Sequence, residues 1–120
     1  MYMVGLNTDT VYQYSLSTAW DLSTASFDNI SFDFTSEDIN PVGVAFSNDG
    51  TKMYMLGFDS DFTYQYTLST AWDLSTASFD NISFGVGSEE TSPFDVAFSN
   101  DGTKMYMVGL NTDTVYQYSV

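Results

Sequence analysis

The 120-residue chain has no cysteine, no histidine and no arginine, and its only basic side chains are Lys52 and Lys104. Each absence excludes a class of chemistry. Without His or Cys there is no zinc or haem site of the usual kind, no Ser-His-Asp or Cys-His nucleophile and no disulfide framework. Without Arg, nothing can clamp a phosphate backbone. Sixteen acidic residues against two lysines give a net charge of -14. Nucleic acid and anionic membrane surfaces are therefore expected to be repelled. No apolar window is long enough to span a membrane as a helix. The start, Met1-Tyr2-Met3-Val4-Gly5, lacks the basic residues and long apolar run of a signal peptide. Lack of cysteine suits a cytosolic and an extracellular location equally.

What is present is apolar and aromatic. Hydrophobic residues make up 43% and aromatics 18%, so the chain should fold despite its charge. Its organisation is a repeat. Val44 to Met55 returns unchanged as Val96 to Met107, an offset of 52. Aligning residues 1–52 with 53–104 gives 37 identities and 15 differences. Met105 to Ser119 then repeats Met1 to Ser15 without a change. The chain is two periods plus 16 residues, about 2.3 repeats.

One unit, Asn40 to Thr91, reads as four strands. Strand a is Pro41 to Ser47. Asn48-Asp49-Gly50-Thr51 is a tight turn, with Gly50 supplying a positive φ. Strand b is Lys52 to Phe58, and Asp59-Ser60-Asp61 is the next turn. Strand c is Phe62 to Leu68, with Tyr64, Tyr66 and Leu68 on one face. Ser69 to Thr76 is a polar connection, expected to be a loop because of its Ser and Thr content. Strand d is Ala77 to Phe84, and Gly85 to Ser92 leads to the next strand a. Four short strands per repeat of this length point to an all-β fold of β-propeller blades, each of four antiparallel strands. The chain divides into a partial blade (1–39, strands b-c-d), a complete blade (40–91) and a second partial blade (92–120, strands a-b-c).

The segment Val44-Ala45-Phe46-Ser47-Asn48-Asp49-Gly50-Thr51-Lys52-Met53-Tyr54-Met55 resembles the inner hairpin of YVTN-type and related propeller repeats. The Val-Tyr-Gln-Tyr of residues 11–14 and 115–118 resembles their strand c. The Leu-Ser-Thr-Ala-Trp-Asp-Leu-Ser-Thr-Ala segment is similar to long repeat arrays in uncharacterised bacterial and phage proteins. The resemblance covers the whole chain and implies a fold, not an activity. The Trp20-Asp21 and Trp72-Asp73 pairs do not make a tryptophan–aspartate repeat, because they fall between strands c and d with no Gly-His partner.

A propeller of four blades at this period needs about 208 residues, so one chain cannot close a ring. Lone blades would expose apolar faces and open sheet edges. A homo-oligomer is expected. Three chains would supply six strands a and six strands d, enough for six complete blades with three surplus b–c hairpins; four chains would supply eight blades.

Candidate sites each have a plain structural alternative. Asp59 and Asp61, with Asp9 and Asp113 in the equivalent turns, are candidate calcium ligands, set against ordinary hairpin-turn chemistry. Trp20 and Trp72 are candidate platforms for a sugar ring, set against a packed anchor for the c–d connection. Glu37-Asp38 and Glu89-Glu90 are paired acids of the kind glycosidases use, but every acid also has a turn or loop explanation. The expected function is a non-enzymatic propeller scaffold with no cofactor, an interaction or surface protein that either is a fragment of a longer repeat array or closes into a ring with its own copies, and that binds a protein or glycan ligand. The alternative is a lectin-like, carbohydrate-binding propeller.

Overall fold

The computed structural model describes residues 1–120, with strands as its only extended regular structure. The strands are β1 (Tyr2–Gly5), β2 (Thr10–Leu16), β3 (Ala25–Asp33), β4 (Pro41–Phe46), β5 (Lys52–Gly57), β6 (Phe62–Leu68), β7 (Ala77–Gly85), β8 (Pro93–Phe98), β9 (Lys104–Gly109) and β10 (Val115–Ser119). They form three antiparallel sheets, β1-β2-β3, β4-β5-β6-β7 and β8-β9-β10. Strand content therefore runs b-c-d, a-b-c-d, a-b-c along the chain.

Local chemistry accounts for each turn. Between β4 and β5, Asp49 Oδ1 accepts bonds from Ser47 Oγ (2.7 Å), the Thr51 amide (3.0 Å) and Thr51 Oγ1 (2.8 Å). Gly50 takes φ 72° there, the left-handed region that only glycine enters freely. Asp101 repeats this set with Ser99 and Thr103. Bonds from Ser47 or Ser99, then from Thr51 or Thr103, hold both carboxyls down at about 2.

The c–d connection is not plain loop. Each copy contains one 3-10 turn, Leu22–Thr24 and Leu74–Thr76. Asp21 and Asp73 cap these turns by accepting the amides of Ser23 and Ser75 at 3.0 Å. The capping Asp outweighs the Ser and Thr content from which a loop was expected. The outer strands β3 and β7 carry a bulge: Gln13 pairs Ile30 and Tyr14 pairs Phe27, skipping Asp28 and Asn29. Asn29 and Asn81 sit at φ 58° and 57°, which Asn tolerates better than most residues.

The core lies between sheets, in two clusters that share the repeat positions of Phe34 and Val86, Met53 and Met105, and Met55 and Met107. Val11 and Phe34 of the first sheet meet Met53, Met55, Tyr66 and Leu74 of the second. Leu56 and Val86 of the second meet Val96, Met105 and Met107 of the third. At each junction Met-Met-Tyr of the later sheet (Met53, Met55 and Tyr66, then Met105, Met107 and Tyr118) faces branched and aromatic side chains of the earlier one.

Candidate functional site

The first sheet-to-sheet junction is complete. Tyr2, Phe46 and Trp72 form an aromatic triad, with centroids 4.2 Å apart for Tyr2–Phe46 and 5.7 Å for Phe46–Trp72. The Tyr2 hydroxyl donates to the Trp72 carbonyl at 2.5 Å. The Trp72 amide donates to the Gly50 carbonyl at 2.9 Å. A Cβ at Gly50 would run into the Trp72 indole. The next residues complete the seat: the Leu74 amide donates to Gln13 Oε1 at 3.0 Å, and the Leu74 side chain is fully buried.

The second junction has the same parts with one set missing. Tyr54 and Phe98 lie 4.1 Å apart, as Tyr2 and Phe46 do, but no indole covers them. A Cβ at Gly102 would meet nothing within 4 Å, although its φ is 71° as at Gly50. Ile82 and Phe84 are exposed, whereas their counterparts Ile30 and Phe32 pack against the first core cluster. The result is an open cavity of about 200 Å³ lined by Tyr54, Thr63, Gln65, Ile82, Phe84 and Phe98, among others. Thr63 Oγ1 is buried there without a hydrogen-bond partner. Val11 occupies the same repeat position at the first junction and is wholly apolar. The site is an apolar slot with aromatic walls and one orphan hydroxyl, and the turn of Gly102 lies on the far side of the Tyr54–Phe98 pair.

The residues singled out in the sequence are placed unequally. Trp72 belongs to the complete triad and is 44% exposed, while Trp20 is 98% exposed and touches no aromatic partner. Both hold a backbone φ of 67°, costly for a bulky residue. The calcium candidates lie one turn per sheet: Asp9 in the first, Asp59 and Asp61 in the second, Asp113 in the third. No group of three or more metal-ligating acids converges anywhere in the chain. Asp59 Oδ2 accepts from Asn40 Nδ2 at 2.5 Å. Asp61 has one buried oxygen without a partner. Burial, then the charges of Glu90, Asp38 and Asp59, push its carboxyl up.

Sequence reasoning gave Asp38 and Glu90 a loop role but not their partners. Asp38 accepts from the Asn40 amide (2.6 Å) and the Ser60 amide (2.8 Å), tying the d–a loop to the b–c turn. Glu90 does the same with Ser92 (2.8 Å) and Thr112 (3.0 Å). An acid at this position in both repeats, followed by residues that differ between them, was the available signal. Tyr54 and Phe98 were missed, because strand parity shows which face a residue takes and not what lies opposite.

No family model matches the chain, and no curated protein matches it. Solved structures do. A crystal structure of a provisionally assigned 6-phosphogluconolactonase from Bacteroides uniformis superposes with a TM-score of 0.67 at 13% identity, covering 99% of this chain and 33% of that one. A protein of unknown function from Desulfotomaculum acetoxidans gives 0.60 at 14% identity, covering 95% of this chain and 35% of its own. The likeness is one of fold. The chain spans about a third of the length of each of these proteins.

Proposed function

We propose that the chain is a non-enzymatic β-propeller scaffold, an interaction or surface protein whose copies close into a ring. One observation carries this reading: the end sheets expose faces that the chain buries elsewhere. Met55 is fully buried, yet Met3, the same residue one repeat earlier, is 47% exposed. An apolar face of this kind favours association. The lengths of the structural neighbours support three copies, since each is about three times the length covered here. Three chains would also supply six complete four-stranded blades.

The acids support a scaffold over a catalyst. Asp21, Asp49, Asp73 and Asp101 each accept backbone amides in turns, and Asp38 and Glu90 do so between loops. The lactonase name belongs to a protein of which this chain spans a third. No His or Arg is present here to act as a base or to clamp a phosphate. Light scattering behind a sizing column tests the ring. A single species near three chains, about 40 kDa against 13.4 kDa for one, is expected. A chain that stays monomeric at all concentrations would overturn it.

A second reading is a carbohydrate-binding, lectin-like propeller. The orphan Thr63 hydroxyl in an aromatic-walled cavity is the observation that favours it. Sub-millimolar binding on a glycan array, lost in Thr63→Val or Trp20→Ala, would establish it.

A further inference from the structure

Trp20 and Gly102 are halves of one arrangement. At the complete junction, Trp72 lies on Gly50, and both belong to the same four-stranded sheet. Trp20 belongs to a sheet that lacks strand a and its turn. Gly102 belongs to a sheet that lacks strand d and the connection carrying its tryptophan. What each sheet lacks, the other contains, in the same sequence.

We propose that a second copy of this chain completes the sheet: β8 and the Gly102 turn of one copy join Trp20 and β3 of the next in one composite blade. This inference rests on the ring reading above and specifies its junction. Trp20 would seat on Gly102 and cover the Tyr54–Phe98 pair, as Trp72 seats on Gly50 and covers Tyr2–Phe46. Leu22, 69% exposed in the single chain, would enter the cavity as the fully buried Leu74 does at the first junction. Its amide would find Gln65, as the Leu74 amide finds Gln13.

Charge points the same way. Lys52 pairs with Asp80 at 2.9 Å. Lys104, its counterpart, has no acid partner and donates only to Ser119, at 2.7 Å. Asp28 is the counterpart of Asp80 and has Gln13 but no lysine. Across the composite blade Lys104 would meet Asp28, an attractive pair in a chain that otherwise repels its copies.

The open edge of β1 is where strand a belongs. β5 pairs β4 with Met53 opposite Phe46 and Met55 opposite Val44. Met3 of β1 and the preceding Met1 stand at the same positions, and β8 presents Phe98 and Val96. Both copies bring a b–c hairpin of identical sequence, Met1–Ser15 and Met105–Ser119. One blade has room for one hairpin, and whichever stays outside, Trp20 reaches Gly102. A junction made by stacking the two incomplete sheets face to face would instead put Trp20 and Gly102 in different blades.

Trypsin cuts after Lys52 and Lys104 only, so the two tryptophans fall in separate peptides. Hydroxyl-radical labelling of the full chain, read by mass spectrometry, can therefore report each one. In the assembled fraction Trp20 labelling should fall to the level of Trp72, and in dilute monomer it should stay well above. Gly102→Asn is the companion variant. Asn accepts the left-handed backbone and its Cβ meets nothing in the single chain, so circular dichroism should be unchanged while the assembled species is lost. An assembled chain whose Trp20 is labelled as heavily as the monomer, or a Gly102→Asn chain that assembles like wild type, would overturn the composite blade and leave the ring standing. A chain that never assembles would overturn both.

Discussion

Single acids in this chain have opposite effects according to their neighbours. Asp49 accepts three bonds within its own turn, so ionisation is favoured in the folded state. Asp61 is partly desolvated near three other carboxylates and lacks a partner for one oxygen. Its folded-state pKa is raised above the unfolded value. The stability is therefore intact below the unfolded pKa and is lost as pH rises from there through the folded pKa. Asp61→Asn should raise the melting temperature by a few degrees at pH 7, and Asn suits the φ of 57° there. The gain should shrink as pH falls through the folded pKa of Asp61 and vanish below its unfolded value, measured by thermal unfolding across pH. An Asn variant no more stable than wild type at neutral pH would show that solvent already screens the acid cluster.

At the level of strands and sheets, identical sequence has unequal energetic weight. Met3 and Met55 occupy the same position of β1 and β5. Met55→Ala empties a close-packed site between two sheets and should cost about 2–5 kcal/mol in chemical denaturation. Met3→Ala should change the stability of the single chain by less than about 0.5 kcal/mol, as for other exposed sites. In the assembled form Met3→Ala should instead weaken association. Equal costs for the two substitutions in a chain shown to be monomeric would mean that the first sheet is not open in solution.

For the molecule as a whole, attraction between open faces competes with charge. A net charge of -14 per chain means that copies repel at long range. Salt at about 0.15 M shortens that reach to about 8 Å. Assembly should strengthen as sodium chloride rises from low to moderate concentration, read as a shift of the association midpoint in light scattering. Weakening with salt would show that the single Lys104–Asp28 attraction outweighs the summed repulsion.

Much of this was legible from residues alone. The 52-residue period, the turn at Asn48-Asp49-Gly50 and the alternation of Tyr64 and Tyr66 with polar neighbours are local features, set by backbone preference and side-chain parity. The all-β class and the four strands of each repeat unit follow from them. The 3-10 turn at Leu74 and the bulge at Asn81 were hidden, because a cap and a skipped residue depend on hydrogen-bond geometry more than on residue type. The unequal fates of Trp20 and Trp72 could not be read at all. Their sequence surroundings are the same from Leu16 or Leu68 onward through the connection, so no local rule separates them. What separates them is the presence of Gly50, Phe46 and Tyr2 around one and their absence around the other. Burial is a property of what packs opposite, and that is settled when the sheets stack in space.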